Sequence, residues 1–270
     1  MKRDSTVQTL VVATMLCVVC SVIVAGAAVG LRPRQEANKR LDKKKNVLIA
    51  ASLIKEGQVV SQQEIDEKFA ESIRPVLIDL KTGDPVDATI MNPDTYDQRA
   101  AAADPTQSQP IAPAADLAGI KRREKYAFVY EVIGTGGSLK QLVLPINGKG
   151  LWSTLYGFLA LAADGSTVRG ITFYEHGETA GLGAEVDNPK WKAIWPGKQV
   201  FDETGKIRLE VIKGSVPPSS PNVQYEVDGI SGATITSKGV SNLIHYWLGP
   251  DAFGRFLDQL RQHKDATPDA

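Results

Sequence analysis

The 270-residue chain has the composition of a folded protein, since 43% of its residues are hydrophobic and 23% are charged, proportions that exclude a disordered chain. Its formal net charge is zero, so the totals give no sign of nucleic-acid binding and we predict no nucleic-acid partner. The charge is uneven, however, because residues 1–45 carry nine Lys or Arg against three Asp or Glu, a net charge of +6. A basic segment beside an apolar run is typical of proximity to a membrane surface.

An uncharged stretch of 27 residues runs from Ser5 to Leu31. An α-helix rises about 1.5 Å per residue, so roughly 20 residues cross a bilayer core of about 30 Å. We therefore predict a single transmembrane helix over residues 9–31, after an N-terminal flank at 1–8. A cleaved signal peptide is the alternative, because the Ala-Gly-Ala sequence at 25–27 resembles a cleavage site, but signal-peptide cores are shorter, about 7–15 residues.

The flanking charges leave the orientation of this helix open. Lys and Arg are more numerous after the span than before it, which by itself would place the C-terminal body in the cytoplasm. Large domains, however, often cross the membrane regardless of flanking charge. Both cysteines, Cys17 and Cys20, lie in the apolar run. A CxxC spacing occurs in redox pairs and metal sites, but we interpret these two as small apolar residues of the span.

Residues 32–120 are predicted to form a membrane-proximal helical region with a Pro/Ala-rich loop. Ser61 is placed to cap a helix that continues to Phe69. The apolar segment Val47–Ile54 is expected to pack on the folded body. The segment Ala100–Ala115 contains three prolines and few large apolar side chains, which indicates a surface loop rather than a core element.

From residue 121 onward the pattern favours β-structure, and we predict a domain over residues 121–250. The predicted strands are Tyr126–Val132, Leu139–Leu144, Leu155–Ala162, Val168–Tyr174, Lys206–Val211 and Val223–Val227. The Asp164-Gly165 turn joins the third and fourth strands as a hairpin.

A helix with one apolar face is predicted before residue 250. Its apolar residues are spaced i, i+3, i+4 and i+7, and Gly249-Pro250 ends it; they are Val240, Leu243, Ile244 and Trp247. A last helix and tail occupy residues 251–270. The fold class is α+β: one N-terminal transmembrane helix, then a soluble domain in which helices pack on an antiparallel sheet.

Small residues and hydroxyls stand between the last strand and this helix, in the segment Ser231–Ser237. Backbone N–H groups at a helix start are unpaired and the helix dipole favours an anion there, so a phosphate would be well placed. Gly232 and Ala233 would let a ligand approach the backbone closely. The alternative is that these hydroxyls only cap the turn and the helix.

The sequence Asp228-Gly-Ile-Ser231-Gly232-Ala233-Thr234 resembles the flavin-attachment motif of the FMN-binding domain family. Members of that family occur in subunits of the sodium-translocating NADH:quinone reductase and of the Rnf complex. The resemblance implies that a flavin transferase joins the phosphate of FMN to Thr234 in a phosphoester bond. It also implies that Asp228, Ser231, Gly232 and Ala233 present the attachment site, although Asp228 would equally suit a simple turn.

A second segment, from Glu178 to Gly183, resembles the family's stretch that lies along the flavin ring. The resemblance implies that Gly181 and Gly183 admit the ring, that Leu182 packs on its face, and that Glu178 and Thr179 meet its polar edge. Family patterns often have Pro at position 180, where this chain has Ala.

A third segment, Gly148–Gly157, also resembles the family, and its Trp152 would either flank the cofactor or fill the core. No GxGxxG sequence opens a helix after a strand, so the chain itself is not expected to bind NADH. His176 stands among scattered acids without a ligand pattern, so we predict no metal site.

The apolar span, the long middle insertion and the three flavin segments together resemble the family of C subunits of the sodium-translocating NADH:quinone reductase. The alternative is the family of G subunits of the Rnf complex, which tend to have a shorter segment between anchor and flavin domain. The resemblance implies a membrane-anchored protein with covalent FMN that relays electrons from NADH towards ubiquinone among the other subunits of a Na⁺ pump.

The same resemblance implies a single-pass protein of the bacterial inner membrane with its soluble domain in the periplasm, and no catalytic residue on this chain. Two further hypotheses belong to different functional classes. One is an anchored flavin-binding module outside any pump, and the other is a cofactor-free scaffold.

Overall fold

The computed structural model describes residues 6–93 and 95–265, apart from the side chains of residues 263–265. The chain divides into two units, Met1–Lys44 and Lys45–Ala270. The first five residues of the predicted flank and the last five of the predicted tail lie outside the described residues.

The first helix, α1 (Thr6–Ala50), contains the whole of the predicted span. Among the described residues, it is the one helix long and apolar enough to cross a membrane. Its large apolar side chains are uncovered, with Val22 67% and Val29 73% exposed. Exposed apolar surface of this extent needs an apolar surrounding, so α1 supports membrane anchoring.

The second unit is built on a five-stranded antiparallel sheet, which confirms the predicted fold class. The strand order is β1-β4-β5-β6-β7. In the long hairpin of β5 and β6, the pairing begins with Gln141 opposite Ala162 and ends with Lys149 opposite Thr154. The helices and strands up to the end of this sheet are α2 (Gln62–Ser72), β1 (Ile73–Asp79), α3 (Gln98–Ala103), β2 (Ser108–Pro110), β3 (Arg122–Glu124), β4 (Tyr126–Ile133), β5 (Leu139–Lys149), β6 (Thr154–Ala162) and β7 (Val168–Glu175). They are followed by α4 (Pro189–Lys192), β8 (Glu210–Val211), β9 (Glu226–Val227), α5 (Thr234–Trp247) and α6 (Gly254–Asp265).

Helix α5 packs on one face of the sheet, against β5, through the predicted apolar stripe. All four of its stripe residues are fully buried: Val240, Leu243, Ile244 and Trp247. A Cβ added at Gly148 of β5 would stand 2.5 Å from Cβ of Leu243, so only glycine permits this close approach. The Trp247 indole donates a 2.6 Å hydrogen bond to the Asn147 carbonyl, which satisfies its one buried polar atom.

The opposite face of the sheet is covered by aromatic side chains and by α2. Ring contacts join Phe69 of α2 to Tyr130, and Tyr130 to Phe128 and Phe158. The predicted cap of α2 is confirmed, since the Ser61 hydroxyl accepts a 3.2 Å hydrogen bond from the Glu64 amide. The apolar segment Val47–Ile54, which covers the end of α1 and the residues after it, is also largely buried as predicted, including Leu48 and Ile54.

Three local predictions were wrong or incomplete. Strand β1 lies in the region predicted to be helical and pairs with β4 along its full length. It was missed because Pro75 interrupts it, and a strand tolerates proline only at an edge such as this one. The proline-rich segment Ala100–Ala115 is also not only loop, because it includes the end of α3 and the short strand β2. The Asp97 side chain caps α3 by accepting hydrogen bonds from the amides of Arg99 and Ala100.

The predicted strands at 206–211 and 223–227 shrink to the two-residue strands β8 and β9, which pair in parallel. Alternation correctly marked Leu209 and Val227, which are fully buried, but it also marked Val223, which is 41% exposed. It did not identify a partner strand, and Ile207 forms a single bridge with Phe201 instead.

Candidate flavin-binding site

The turn from β9 to α5 is held in place by backbone and side-chain hydrogen bonds of Asp228 and Gly229. The Asp228 carboxylate accepts a 2.8 Å bond from the Val216 amide, and its carbonyl accepts a 2.8 Å bond from the Trp191 indole. A Cβ at Gly229 would lie 2.2 Å from the Ile212 carbonyl oxygen. The predicted turn role of Asp228 therefore extends to fixing the neighbouring segment 212–216.

The first turn of α5 presents open hydrogen-bond donors. Its N-cap is Ala233, which has no capping side chain, so neither Ser231 nor Thr234 caps the helix. Within the described part of the chain, the amides of Thr234, Ile235 and Thr236 meet no acceptor. Such amides, together with the helix dipole, favour an anion at this position.

The two threonines of this turn have opposite surroundings. The Thr234 side chain is exposed and its hydroxyl makes no hydrogen bond to any described residue. Thr236 is only 1% exposed, and its hydroxyl donates a 2.7 Å hydrogen bond to the carboxylate of Glu178. Of the two, only Thr234 is therefore open to a reaction partner.

A cavity of about 290 Å³ adjoins Thr234 between β8 and α5. Its lining carries two lysines, Lys213 and Lys238, and the side chains of Asn242 and His245. The imidazole Nε2 of His245 lies 2.9 Å from the Leu209 carbonyl oxygen. Sequence reasoning missed this cavity, because β8 and α5 are brought together only by tertiary packing.

The carboxylate of Glu178 points into the protein. It accepts bonds from the amides of Leu151 (3.2 Å), Trp152 (2.9 Å) and Ser153 (3.1 Å) as well as from Thr236. Burial alone would raise the pKa of Glu178, but these four hydrogen bonds outweigh it and hold that pKa below its ordinary value. The family resemblance implies that Glu178 meets the polar edge of a flavin, but in this structure its carboxylate accepts hydrogen bonds from other residues of the same chain.

The loop that follows Glu178 presents Leu182 and buries Gly183. Leu182 is 43% exposed, and Gly181 adopts a left-handed φ of 73°. The exposed Thr179 closes the loop through its carbonyl, which accepts 3.1 Å hydrogen bonds from the amides of Leu182 and Ala184. Just before the loop, His176 Nε2 lies 2.7 Å from the Asp187 carboxylate.

Trp152 is 68% exposed, which removes the alternative that it fills the core. Two loops therefore carry large exposed apolar side chains, Trp152 on one and Leu182 on the other. The hydrogen bonds of Glu178 connect these loops to the start of α5. Such side chains suit a flat apolar ring, and the open amides beside an exposed hydroxyl suit a phosphate. The residues present fit a flavin that carries a phosphate.

Comparisons with known proteins agree with this geometry. A family model described as the FMN-binding domain matches residues 150–249, a range that includes Glu178, Leu182 and Thr234. The C subunit of the Na(+)-translocating NADH-quinone reductase from Pseudomonas aeruginosa is 50% identical over 96% of this chain and 98% of the relative. The protein of the same name from Yersinia pestis is 45% identical over 96% of this chain and 95% of the relative.

Solved structures show the same likeness. The crystal structure of Shewanella oneidensis NqrC superposes with a TM-score of 0.73 at 39% identity, covering 84% of this chain and 99% of that chain. The structure of the protein of the same type from Parabacteroides distasonis gives a TM-score of 0.63 at 28% identity, covering 84% and 96%. These relatives decide against the Rnf alternative, and the chain belongs to the NqrC family, the C subunits of the Na(+)-translocating NADH-quinone reductase.

Proposed function

We propose that this chain carries FMN bound covalently through a phosphoester to the Thr234 hydroxyl. It then serves as the electron-transfer subunit of a Na⁺-translocating NADH:quinone reductase. The observation that carries the proposal is the contrast between the two threonines of α5. The Thr234 hydroxyl is exposed beside unpaired amides, whereas the Thr236 hydroxyl is buried and bonded to Glu178.

The start of α5 supplies the binding chemistry for the phosphate. Once Thr234 is esterified, the phosphate keeps a negative charge next to the open amides of Thr234, Ile235 and Thr236. The helix dipole stabilises that charge by about 0.3–1 kcal/mol at an exposed position. Lys213 and Lys238, which line the adjoining cavity, add positive charge on the same side.

The exposed side chains of Trp152 and Leu182 would supply the surface for the ring. Bound FMN supplies reversible electron transfer through that ring. Trp152 and Leu182 would hold and orient it by contact and would remove water from the surfaces they cover. The electron-transfer role requires no acid, base or nucleophile of this chain.

Partners and location follow from the same proposal. The chain would be anchored by α1 in the bacterial inner membrane, with its soluble domain in the periplasm, and would assemble with the other subunits of the reductase. A flavin transferase would modify it during maturation: the Thr234 hydroxyl would lose its proton and bond to the flavin phosphorus of a phosphoanhydride donor, whose other phosphate leaves. Support comes from the apolar surface of α1 and from the relatives, which are named as parts of such a reductase.

In-gel fluorescence of the denatured protein tests the covalent bond directly. Full-length wild type, Thr234→Ala and Thr236→Ala are each expressed with a flavin transferase and run on a denaturing gel under ultraviolet light. We expect a fluorescent band for wild type and for Thr236→Ala and none for Thr234→Ala. A dark wild-type band, or a bright Thr234→Ala band, contradicts the attachment.

Membership in a pump needs a separate measurement. Wild type purified from its native membrane in mild detergent is expected to bring with it an NADH-oxidising, quinone-reducing complex. A labelled protein that purifies alone from these membranes would favour the anchored flavin module outside any pump.

A further inference from the structure

The carboxylate of Glu178 is the meeting point of three separate segments of the site. Oε1 accepts from the amides of Trp152 and Ser153, and Oε2 accepts from the amide of Leu151 and from the Thr236 hydroxyl. One side chain thus bonds the loop that bears Trp152 to the helix turn that bears Thr234. Its own backbone belongs to the loop that bears Leu182.

Two glycines make room for this carboxylate. A Cβ at Gly150 would stand 2.6 Å from Glu178 Oε1, and a Cβ at Gly183 would stand 2.5 Å from Oε2 and 2.7 Å from the Thr236 hydroxyl. Any other residue at either position would displace the carboxylate. The glycines are therefore part of the arrangement around Glu178 and do more than leave room for a ligand.

The hydrogen-bonding capacity of Glu178 is filled. An ionised carboxylate has about four acceptor sites, and four donors of this chain point at it. Glu178 is 8% exposed and Thr236 is 1% exposed, so releasing the Thr236 hydroxyl would leave a buried polar group without a partner, which costs about 1–3 kcal/mol. A ring atom that bonded to Glu178 would have to displace one of them.

We propose that Glu178 is a positioning residue that assembles the site before the cofactor arrives, and that it is not a ligand of the flavin ring. Its carboxylate holds the Trp152 loop and the first turn of α5 in one fixed arrangement, with Thr236 as its partner on the helix. The identity of the cofactor rests on the proposed function, whereas the assembly of the three segments is a property of the unmodified chain.

Conservative variants separate this role from a flavin contact. In Glu178→Gln one oxygen becomes an amide NH₂ group, which cannot accept a hydrogen bond. In one orientation the amides of Trp152 and Ser153 lose their acceptor, and in the other the amide of Leu151 does, while the Thr236 hydroxyl can turn and accept from the NH₂ group. Thr236→Val removes the helix-side bond while keeping the shape of the side chain, and Thr236→Ser restores the hydroxyl. Glu203→Gln, at an exposed glutamate, is the matched control.

Hydrogen–deuterium exchange on the full-length chain, expressed without a flavin transferase and kept in detergent, reads the assembly directly. We expect the amides of residues 151–153 to exchange at least about 10-fold faster in Glu178→Gln than in wild type, because bonds to a charged acceptor are lost. The amides of β5 and β6 report whether the fold survives. Unchanged exchange at 151–153 in Glu178→Gln overturns the proposal.

The helix-side bond is tested by the Thr236 pair, which stays informative even if Glu178→Gln does not fold. We expect Thr236→Val to label with flavin about 10-fold more slowly than wild type, yet to reach the same final labelling, and Thr236→Ser to recover the wild-type rate. In the native state, Trp152 should quench the flavin fluorescence of labelled Thr236→Val less than it quenches that of labelled wild type. Equal labelling rates and equal native flavin fluorescence for Thr236→Val and Thr236→Ser overturn the proposal.

Failure of the proposed function would look different. If the wild-type band never labels, the attachment at Thr234 is wrong, and hydrogen exchange at residues 151–153 still decides whether Glu178 positions the loops. If wild type labels but Glu178→Gln matches it in labelling rate and in exchange, the attachment stands and the positioning role fails.

Discussion

The side chain of Leu182 lies directly over the backbone of Gly232. A Cβ built at Gly232 would stand 2.8 Å from Cδ2 of Leu182, and Gly232 has a left-handed φ of 72°. This contact joins the loop that would bind the flavin ring to the turn that would carry its phosphate. The left-handed φ favours glycine at position 232, and a Cβ there would push Cδ2 of Leu182 aside.

Gly232→Ala should therefore strain the turn and displace Leu182. We expect a loss of about 1–3 kcal/mol in unfolding free energy together with slower flavin labelling at Thr234. The matched control is Gly205→Ala, which has a φ of 80° and open space around its Cβ. Urea unfolding and in-gel fluorescence of both variants make the comparison. Equal labelling of the two would show that the Leu182 contact is unimportant.

Glu178 predicts a specific pH dependence of stability. Its folded-state pKa is below its ordinary value, so it contributes stability that is present above the unfolded-state pKa of about 4.3. That contribution is lost as the pH falls through the folded-state pKa. The stability difference between wild type and Glu178→Gln should be largest above about pH 5 and shrink below about pH 4. Urea unfolding across pH 3 to 7 measures it, and a difference independent of pH contradicts the prediction.

Truncation of two tryptophans, Trp247 and Trp152, should affect the free energy of unfolding very differently. Trp247 is fully buried and bonded to Asn147, so Trp247→Ala should cost about 3–5 kcal/mol through lost packing and a cavity. Trp152 is exposed, so Trp152→Ala should change stability by no more than about 0.5 kcal/mol while raising native flavin fluorescence. A large stability loss in Trp152→Ala would mean that this side chain packs in the core.

Arg99 ties α3 to the end of β7. Its guanidinium contacts both oxygens of Glu175, at 2.6 and 3.0 Å, and lies 3.8 Å from the centre of the Tyr156 ring. Both charged side chains are about half exposed, so solvent limits the effect of Arg99→Ala to about 0.5–1 kcal/mol. Arg99→Lys should recover little of it, because lysine lacks the planar fork. Thermal unfolding in low and high salt provides the measurement, and full recovery by lysine would exclude a role for that geometry.

Much of the fold followed from local patterns. The stripe of α5 and the long strands β4 to β7 were predicted because burial on one or both faces leaves a regular apolar pattern. The edge strand β1 and the two-residue strands β8 and β9 carry too few alternating residues to be predicted from such a pattern. Their pairing depends on partners far along the chain, such as Val76 with Val129.

By itself, the sequence determined the anchor, the α+β class and the segments that resemble a flavin site, because apolar length, periodicity and motif spacing are local properties. Only the tertiary structure distinguished the surroundings of Thr234 from those of Thr236, two hydroxyls of one helix turn. It did so by bringing Glu178 within 2.7 Å of Thr236 across 58 residues of chain. The physical reason is that burial and hydrogen-bond partners are set by packing, and packing leaves one hydroxyl enclosed and the other open.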